Sequence, residues 1–375
     1  MEDAPILFYE DPEVIYNRMK SNYSAKVERP IEDQQAEALL IRTGTMEISL
    51  HQMRSDNAVA QMLAQFSAAP MLDYLAGNSG VSRLAATPAV ATLQFTLTAG
   101  HGMVTLPAGT RVRTTDGLMV FATDEEKSAA PGVDTITVAA TSLTDGPQGN
   151  LYIPGLVTDI IDAYPFVSAA TNTVTTGGGA DVETDDGLRR RILISQNQYP
   201  TAGSVDSYKY WALSANPSII DVSVDNQREL DGTPIGGTVA IYPLVSGGGT
   251  TPQAILDAVE EAVSAELRRP LNDEVAAFSP SPVNYTIPLQ LILKAGAVQS
   301  TTENAVIAAI TTYVTNQSKT LGADVTESQI KAAGMNGSVH SILLPGFTDV
   351  IVGLTEFAVC TEISKVGTTY EDINA

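Results

Sequence analysis

The sequence predicts an α+β multidomain protein with a helical N-terminal arm, a small all-β domain and mixed α/β domains toward the C-terminus. Three observations carry this prediction. The 39 residues between Pro30 and Pro70 contain no proline and one glycine, so a long helix can run through them. From Val90 the apolar period falls to two, with Leu93, Phe95 and Leu97 alternating with Gln94, Thr96 and Thr98, the mark of a half-buried strand. Beyond residue 180, strand and helix patterns interleave to the end, as in sheets covered on one face by helices. The expected bounds are 1–87 for the arm, 88–176 for the β domain, 177–295 for an α+β domain and 296–375 for a C-terminal α/β domain.

Taken in order, Asp11-Pro12-Glu13 is a helix start, with an N-cap aspartate and proline at the first helical position, and a short helix follows to about Tyr23. The long helical segment runs to about Phe66, and 71–75 adds one more turn before Gly77-Asn78-Ser79-Gly80. Along the long segment Leu39, Met46, Leu50 and Met53, with Thr43 in the remaining step, keep a 4-3-4-3 spacing. That is an apolar seam, which the body of this chain or another chain must cover, so these four residues are the candidate interface.

In the β domain, Leu106-Pro107-Ala108-Gly109-Thr110 reads as a turn. Residues 111–114 and 118–122 flank Asp116-Gly117, a strong hairpin signal. A strand at 136–140 and a loop at Gly146-Pro147-Gln148-Gly149-Asn150 follow, and Gly177-Gly178-Gly179 reads by composition as a hinge or linker. Helices are expected at about 185–197 and 204–215, the second capped by Ser204, then at 252–267, 302–316 and 328–333. Strands are expected near 219–224, 238–244, 274–278, 283–293, 339–344 and 350–360.

The net charge is −22, from 43 acidic and 21 basic residues, a field that repels phosphate backbones and disfavours nucleic acid as a partner. No run approaches the roughly 18 apolar residues of a membrane span. The opening Met-Glu-Asp lacks the basic and apolar regions of a secretory signal, so assembly in a cytoplasm is expected. Cys360 has no partner for an internal disulfide, and its neighbours Phe357, Ala358 and Val359 suggest a small buried residue in a strand.

Catalytic constellations are missing from the linear pattern. His51, His101 and His340 fall in three different regions and read as surface or loop residues, with no second histidine at metal-ligand spacing. There is no Gly-x-Ser-x-Gly elbow, no H-E-x-x-H helix and no Cys pair. Ser246-Gly247-Gly248-Gly249-Thr250-Thr251 precedes a helix but lacks a P-loop lysine, and reads as a β-to-helix turn. Asp181-x-Glu183-x-Asp185-Asp186-Gly187 approaches a calcium loop, yet its glycine comes one place late and its twelfth position is Ile192, so helix capping explains the acids better. Arg189-Arg190-Arg191 behind them reads as structural pairing rather than a basic strip. No catalytic, cofactor or metal residues are expected. Paired carboxylates for glycoside cleavage depend on the fold and stay open.

The stretch Glu183-Thr184-Asp185-Asp186-Gly187-Leu188-Arg189-Arg190-Arg191-Ile192 resembles the signature of the baseplate J-like proteins, wedge components of contractile phage tails and related injection machines. Three more segments agree in order: Leu106-Pro107-Ala108-Gly109-Thr110-Arg111-Val112; Ser207-Tyr208-Lys209-Tyr210-Trp211-Ala212-Leu213-Ser214 leading through Asn216-Pro217 to Ile220-Asp221-Val222-Ser223-Val224; and Arg268-Arg269-Pro270-Leu271-Asn272-Asp273-Glu274-Val275. Together they cover roughly residues 90–295, while 225–237 and the sequence after about 300 depart from the pattern.

The resemblance implies a structural role without catalysis. It implies dimers whose helices join a smaller wedge protein in a bundle, six wedges closing a ring around the central hub and spike, and contact with the sheath initiator. That ring sits in the tail baseplate of a virion assembled in the host cytoplasm, and its rearrangement triggers sheath contraction. The motif residues then have structural readings: Asp185 and Asp186 favour a helix N-terminus, Trp211 and Leu213 pack a helix pair onto the sheet, and Pro270 ends the helix before it. Two other classes remain open, a cell-wall- or polysaccharide-degrading tail enzyme, which needs two carboxylates facing a cleft, and a receptor-binding adhesin, which should show repeats or trimeric β-structure.

Overall fold

The computed structural model describes residues 4–198, 203–229, 232–264 and 273–371. The protein is α+β and multidomain, and divides into two compact units, residues 1–83 with 188–195, and residues 84–187 with 196–375. The segment 268–272, with Pro270, and the end of the helix expected at 252–267 lie outside the described residues.

In the first unit α1 (Pro12–Val27) starts where expected, the Asp11 carboxylate accepting from Glu13 N, and ends at Glu28 in the left-handed conformation. The long helix α2 (Ala36–Gln61) stops five residues short of Phe66. Its last turn tightens, with Met62 N bonded to Val59 O, and Gln61 Oε1 then accepts from Ala68 N, drawing the chain back on itself. The third helix, α3 (Met71–Asn78), runs past Leu75 through the glycine and asparagine expected to end it. Ile15 and Tyr16 of α1 are buried, as are Ala38, Thr45 and Ser49 of α2. Tyr16 OH donates to Asp33 at 2.8 Å, and the Arg42 guanidinium lies 4.4 Å over the Tyr16 ring.

The second unit opens with the β domain. Its strands are β1 (Pro88–Leu97), β2 (Val104–Leu106), β3 (Arg111–Thr114), β4 (Val120–Thr123), β5 (Lys127–Ala129), β6 (Thr135–Asp145), β7 (Val157–Ile160) and β8 (Val167–Asn172). Six of them form one sheet in the order β7-β3-β4-β6-β1-β8, while β2 and β5 pair beside it. Twofold alternation sends Leu93, Phe95 and Leu97 of β1 inward against Ile136, Val138 and Phe121. Phe95 and Phe121 are fully buried, each worth roughly 1.5–3 kcal/mol of transfer free energy.

One side chain brings the two sheet edges together. Asn172, 1% exposed at the end of β8, accepts at Oδ1 from the N–H groups of Gly155, Leu156 and Val157, each at 3.0 Å. Its Nδ2 donates to the carbonyls of Tyr152, Ile153 and Val174. The sheet is thereby a nearly closed barrel, with no long free edge between β7 and β8.

The hairpin falls at Asp116-Gly117, but Leu118 is not strand: it is exposed at the tip, and β4 begins at Val120. The Asp116 carboxylate accepts from Leu118 N and Thr114 Oγ1 from Met119 N, which lengthens the turn. A larger correction concerns Gly177-Gly178-Gly179, expected as a linker. All three glycines are buried. Gly177 exchanges both backbone hydrogen bonds with Val90, and Ala180 pairs with Thr87 in the same way. The run continues the barrel wall, and at Gly179 a side chain would meet the backbone of Gly146 and Ala89, while at Gly177 it would meet the Pro252 ring.

After it come α4 (Asp185–Leu193), shorter than the expected 185–197, and α5 (Val205–Leu213), whose Ser204 cap accepts from Ser207 N as expected. Strands β9 (Ile219–Asp225), β10 (Thr238–Val245) and β11 (Glu274–Ala277), with α6 (Gln253–Ser264) between the last two, form a sheet of order β11-β10-β9. β10 pairs parallel with β11 and antiparallel with β9. Leu213 is buried on α5 and Trp211 half-buried beside it, edge-on to Tyr210 at 5.0 Å.

The last sheet, β13-β12-β14, is built from β12 (Ser281–Leu293), β13 (Val339–Leu343) and β14 (Glu356–Tyr370), with α7 (Gln299–Gln317) and α8 (Glu327–Gly334) between the first two. Ile287, Leu289, Leu291 and Leu293 bury one face against Val306, Ile310, Val314 and Ile330. The closing strand lies six residues later than expected and reaches Tyr370, because it runs parallel to β12 from Ser281↔Glu356 to Leu293↔Tyr370. Glu303 of α7 fastens it, accepting from Lys365 Nζ and Thr368 Oγ1, each at 2.6 Å, and from Gln299 Nε2.

The Lys365 ammonium is the main reason the Glu303 carboxyl drops from its ordinary 4.5 to about 2. A folded-state value depressed in this way contributes stability above the unfolded value that is lost as pH falls toward 2. In acid-unfolding curves between about pH 4.5 and 2, the difference between the native chain and Glu303→Gln should shrink as pH falls. A difference independent of pH would refute the linkage.

Candidate assembly surfaces

The seam expected along α2 is placed on its open side. Leu39, Met46, Leu50 and Met53 are 44–68% exposed, and Thr43 is exposed with them. The reason is that α2 offers α1 a different stripe of smaller residues, Ala38, Thr45 and Ser49, the Thr45 hydroxyl lying 3.8 Å from the Met19 sulfur. Leu40 and Ile48 widen the open side. The N-terminal segment presents further apolar side chains, anchored at Asp56 on the Ala38, Thr45 and Ser49 side of α2. The amides of Leu7, Phe8 and Tyr9 all donate to the Asp56 carboxylate at 2.8–2.9 Å, so the chain bends at Leu7 and Phe8 and is strapped to α2 with Ile6, Leu7 and Phe8 exposed. Scattered single exposed apolar residues are ordinary, whereas the four seam residues share one side of α2 over about four turns.

The arginine helix α4 is a structural grip. Arg189 donates to the carbonyls of Ala64 and Ser67 at 3.0 and 2.7 Å, and buried Arg191 donates to Ser82 O at 3.1 Å, whereas Arg190 is exposed. Glu183, also buried, accepts from Leu84 N at 3.0 Å and donates its own amide to Leu84 O. Of the acids ahead of the helix Glu183 pins the chain, while the first-turn amide of Gly187 donates to Thr184 Oγ1 rather than to an acid; among the described residues no three His, Cys, Asp or Glu side chains converge to hold a metal.

The remaining sequence candidates are dispersed. His51 is exposed on α2, and His340 on β13 sits 2.9 Å from Glu371. His101 differs from expectation: it is buried, its ring nitrogens 2.6 Å from Gly102 O and 3.1 Å from Val133 O. Cys360 lies in β14 as expected but is only partly buried, enough to push its thiol up from its usual range. The Gly247–Gly249 run is a β-to-helix turn, all three at positive φ, secured by Thr251 Oγ1 donating to Pro243 O and Thr251 N to Ser279 Oγ. The insert around 225–237 is tied by Arg228 to Asp225 and to Gly232 O, and with Asn226, Tyr242, Leu354 and Thr355 these two residues line an open cleft of about 410 Å³. The ion pair inside it is mutually satisfied, so the cleft presents no poised acid and base.

Two family models match in chain order, the baseplate J-like protein barrel domain over residues 92–179 and the baseplate J-like central domain over residues 200–279. The first ends on Gly179, consistent with the glycine run belonging to the barrel wall. Baseplate protein J of Escherichia phage P2 is 29% identical over 188 residues, 50% of this chain and 60% of that protein. Baseplate protein gp47 of Escherichia phage Mu is 34% identical over 133 residues, 36% of each chain. The matched stretches therefore span less than two thirds of either relative. A chain of the cryo-EM structure of the anti-feeding prophage baseplate, 6-fold symmetrised, aligns over 96% of this chain and 90% of its own with 12% identity and a TM-score of 0.38. With the barrel and central domains both matched, in order, the chain belongs to the baseplate J-like protein family.

Proposed function

We propose that this protein is a structural component of the baseplate wedge of a contractile tail. In this reading it forms a ring with further copies around the central hub and spike, and couples target contact to sheath contraction. Two relatives bearing the name baseplate protein support the reading. The observation that carries it is the open face of α2, where Leu39, Met46, Leu50 and Met53 stand clear of α1. These residues are the interface through which α2 joins a second copy and a smaller wedge protein. Interfaces that survive contraction bury on the order of 2,000 Å² or more, which such a face and its strap help to supply. The sheath initiator and the hub are the further partners, in a tail baseplate assembled in the host cytoplasm. The reading assigns the chain no reaction; turnover of peptidoglycan or capsule that one carboxylate substitution abolished would overturn it.

Leu50→Asp tests the interface. Its circular dichroism should match the native chain, because Leu50 is already exposed, while light scattering with the co-expressed wedge proteins should show no complex. A variant that unfolds, or that assembles as before, removes the α2 face from the interface.

A further inference from the structure

The barrel tip farthest from the Val90–Gly177 pairing presents a second apolar surface, built at a conformational cost. There β1 ends, Thr98 N donates to Phe166 O, and Leu97 N donates to Asp134 O. Around buried His101 stand Met103, 74% exposed, Val133, 44% exposed, and Phe166, 50% exposed, the last with its ring centroid 6.4 Å from the imidazole. Phe166 occupies an unusual backbone position. Val167 N bonds to Tyr164 O across Pro165-Phe166, and Phe166 has φ +67. This is a turn with proline second and a left-handed residue third, a place that glycine fills without strain and a bulky side chain does not. The ring gains little from its own fold, being half exposed. A strained backbone that displays a large apolar group to solvent points to a contact outside the chain.

The charge around the tip identifies the kind of partner. Residues 88–176 hold eight acids and three bases, a net of −5. All three bases are taken up within the barrel, Arg111 by Asp162, Arg113 by Asp159 and Lys127 by Glu125. Exposed Asp134 follows Val133 directly at the tip, and Asp124, Glu125 and Glu126 stand at the other end of β5, whose Ala129 end pairs with Val104. A second copy would bring the same acidic rim, on a chain whose net charge is −22.

We propose that Phe166, Met103 and Val133 form a docking tip that inserts into an apolar recess rimmed by Lys and Arg on a different protein of the same assembly. The proposal rests on the baseplate reading above. Two measurements test it. Purified Phe166→Gly should melt at the same or a higher temperature than the native chain, because glycine relieves the turn; a lower melting temperature would assign Phe166 to the fold and overturn the proposal. In baseplates assembled from the co-expressed tail proteins, Phe166→Gly should be incorporated at least tenfold less than the native chain, with the loss growing as salt is raised. Phe166→p-benzoylphenylalanine should cross-link to a Lys/Arg-flanked apolar segment of another protein. Equal incorporation of native chain and variant, or a cross-link only to a second copy, sinks the docking tip and leaves the baseplate reading standing. Failure of the native chain itself to enter baseplates sinks both.

Discussion

Asn172→Ala is expected to destabilise the protein by about 3–5 kcal/mol, read as a shift in the urea unfolding midpoint. The side chain is small, and removing it opens little space. What is lost is the set of partners for three N–H groups, Gly155 to Val157, and for the carbonyls of Tyr152, Ile153 and Val174. A buried backbone group left without a partner costs roughly 1–3 kcal/mol, so even partial access of water leaves a large deficit. Asn172→Asp separates the two halves of the set. It keeps the acceptor but turns the donor into a second acceptor facing carbonyls, and should be nearly as damaging. If aspartate is tolerated, the donor half contributes little and the account of barrel closure is wrong.

Gly179→Ala should cost about 3 kcal/mol for steric reasons alone, at the upper end of what overpacking usually produces. An added Cβ would lie 2.3 Å from Gly146 O, 2.9 Å from Asn150 Oδ1 and 3.1 Å from Ala89 N. Two of these atoms are backbone in paired segments and cannot rotate away. Gly109→Ala is the comparison, since that glycine has φ +80 and nothing within 4 Å of a new Cβ. It should cost about 1 kcal/mol, the strain of the left-handed conformation. Equal thermal shifts for the two variants would mean that the glycine run is loose after all.

That run shows where sequence reasoning reached its limit. Glycine composition signals freedom in a solvated chain, but here it signals close approach, by Gly146, Asn150 and, at Gly177, the Pro252 ring. Those neighbours come from elsewhere in the chain, so no local rule contains them. The reach of β14 was hidden for the same reason, being set by parallel pairing with a strand some 75 residues earlier. Local devices were legible: the Asp11 and Ser204 caps, the alternation in β1 and the Asp116-Gly117 turn each depend on a few adjacent residues. The 4-3-4-3 spacing picked out Leu39, Met46, Leu50 and Met53 as one line on α2, and the structure leaves all four exposed. It did not reveal that α1 would take the small-residue stripe at Ala38 and Thr45, nor that Asp56 would hold a strap of main-chain amides. His101 was misplaced because burial of a loop residue depends on the distant chain that meets it, here at Val133 O.

The grip of α4 has a consequence for how such an arm can diverge. Arg189 and Arg191 hold the carbonyl oxygens of Ala64, Ser67 and Ser82, a group that every amino acid carries. The attachment is therefore indifferent to the side chains at those three positions, provided the backbone path is kept. Mutations there can accumulate, and the outward chemistry of the arm can be rewritten for a new partner, while two guanidinium groups continue to recognise the same three oxygens. Drift should be fast along the arm and slow at residues 189 and 191.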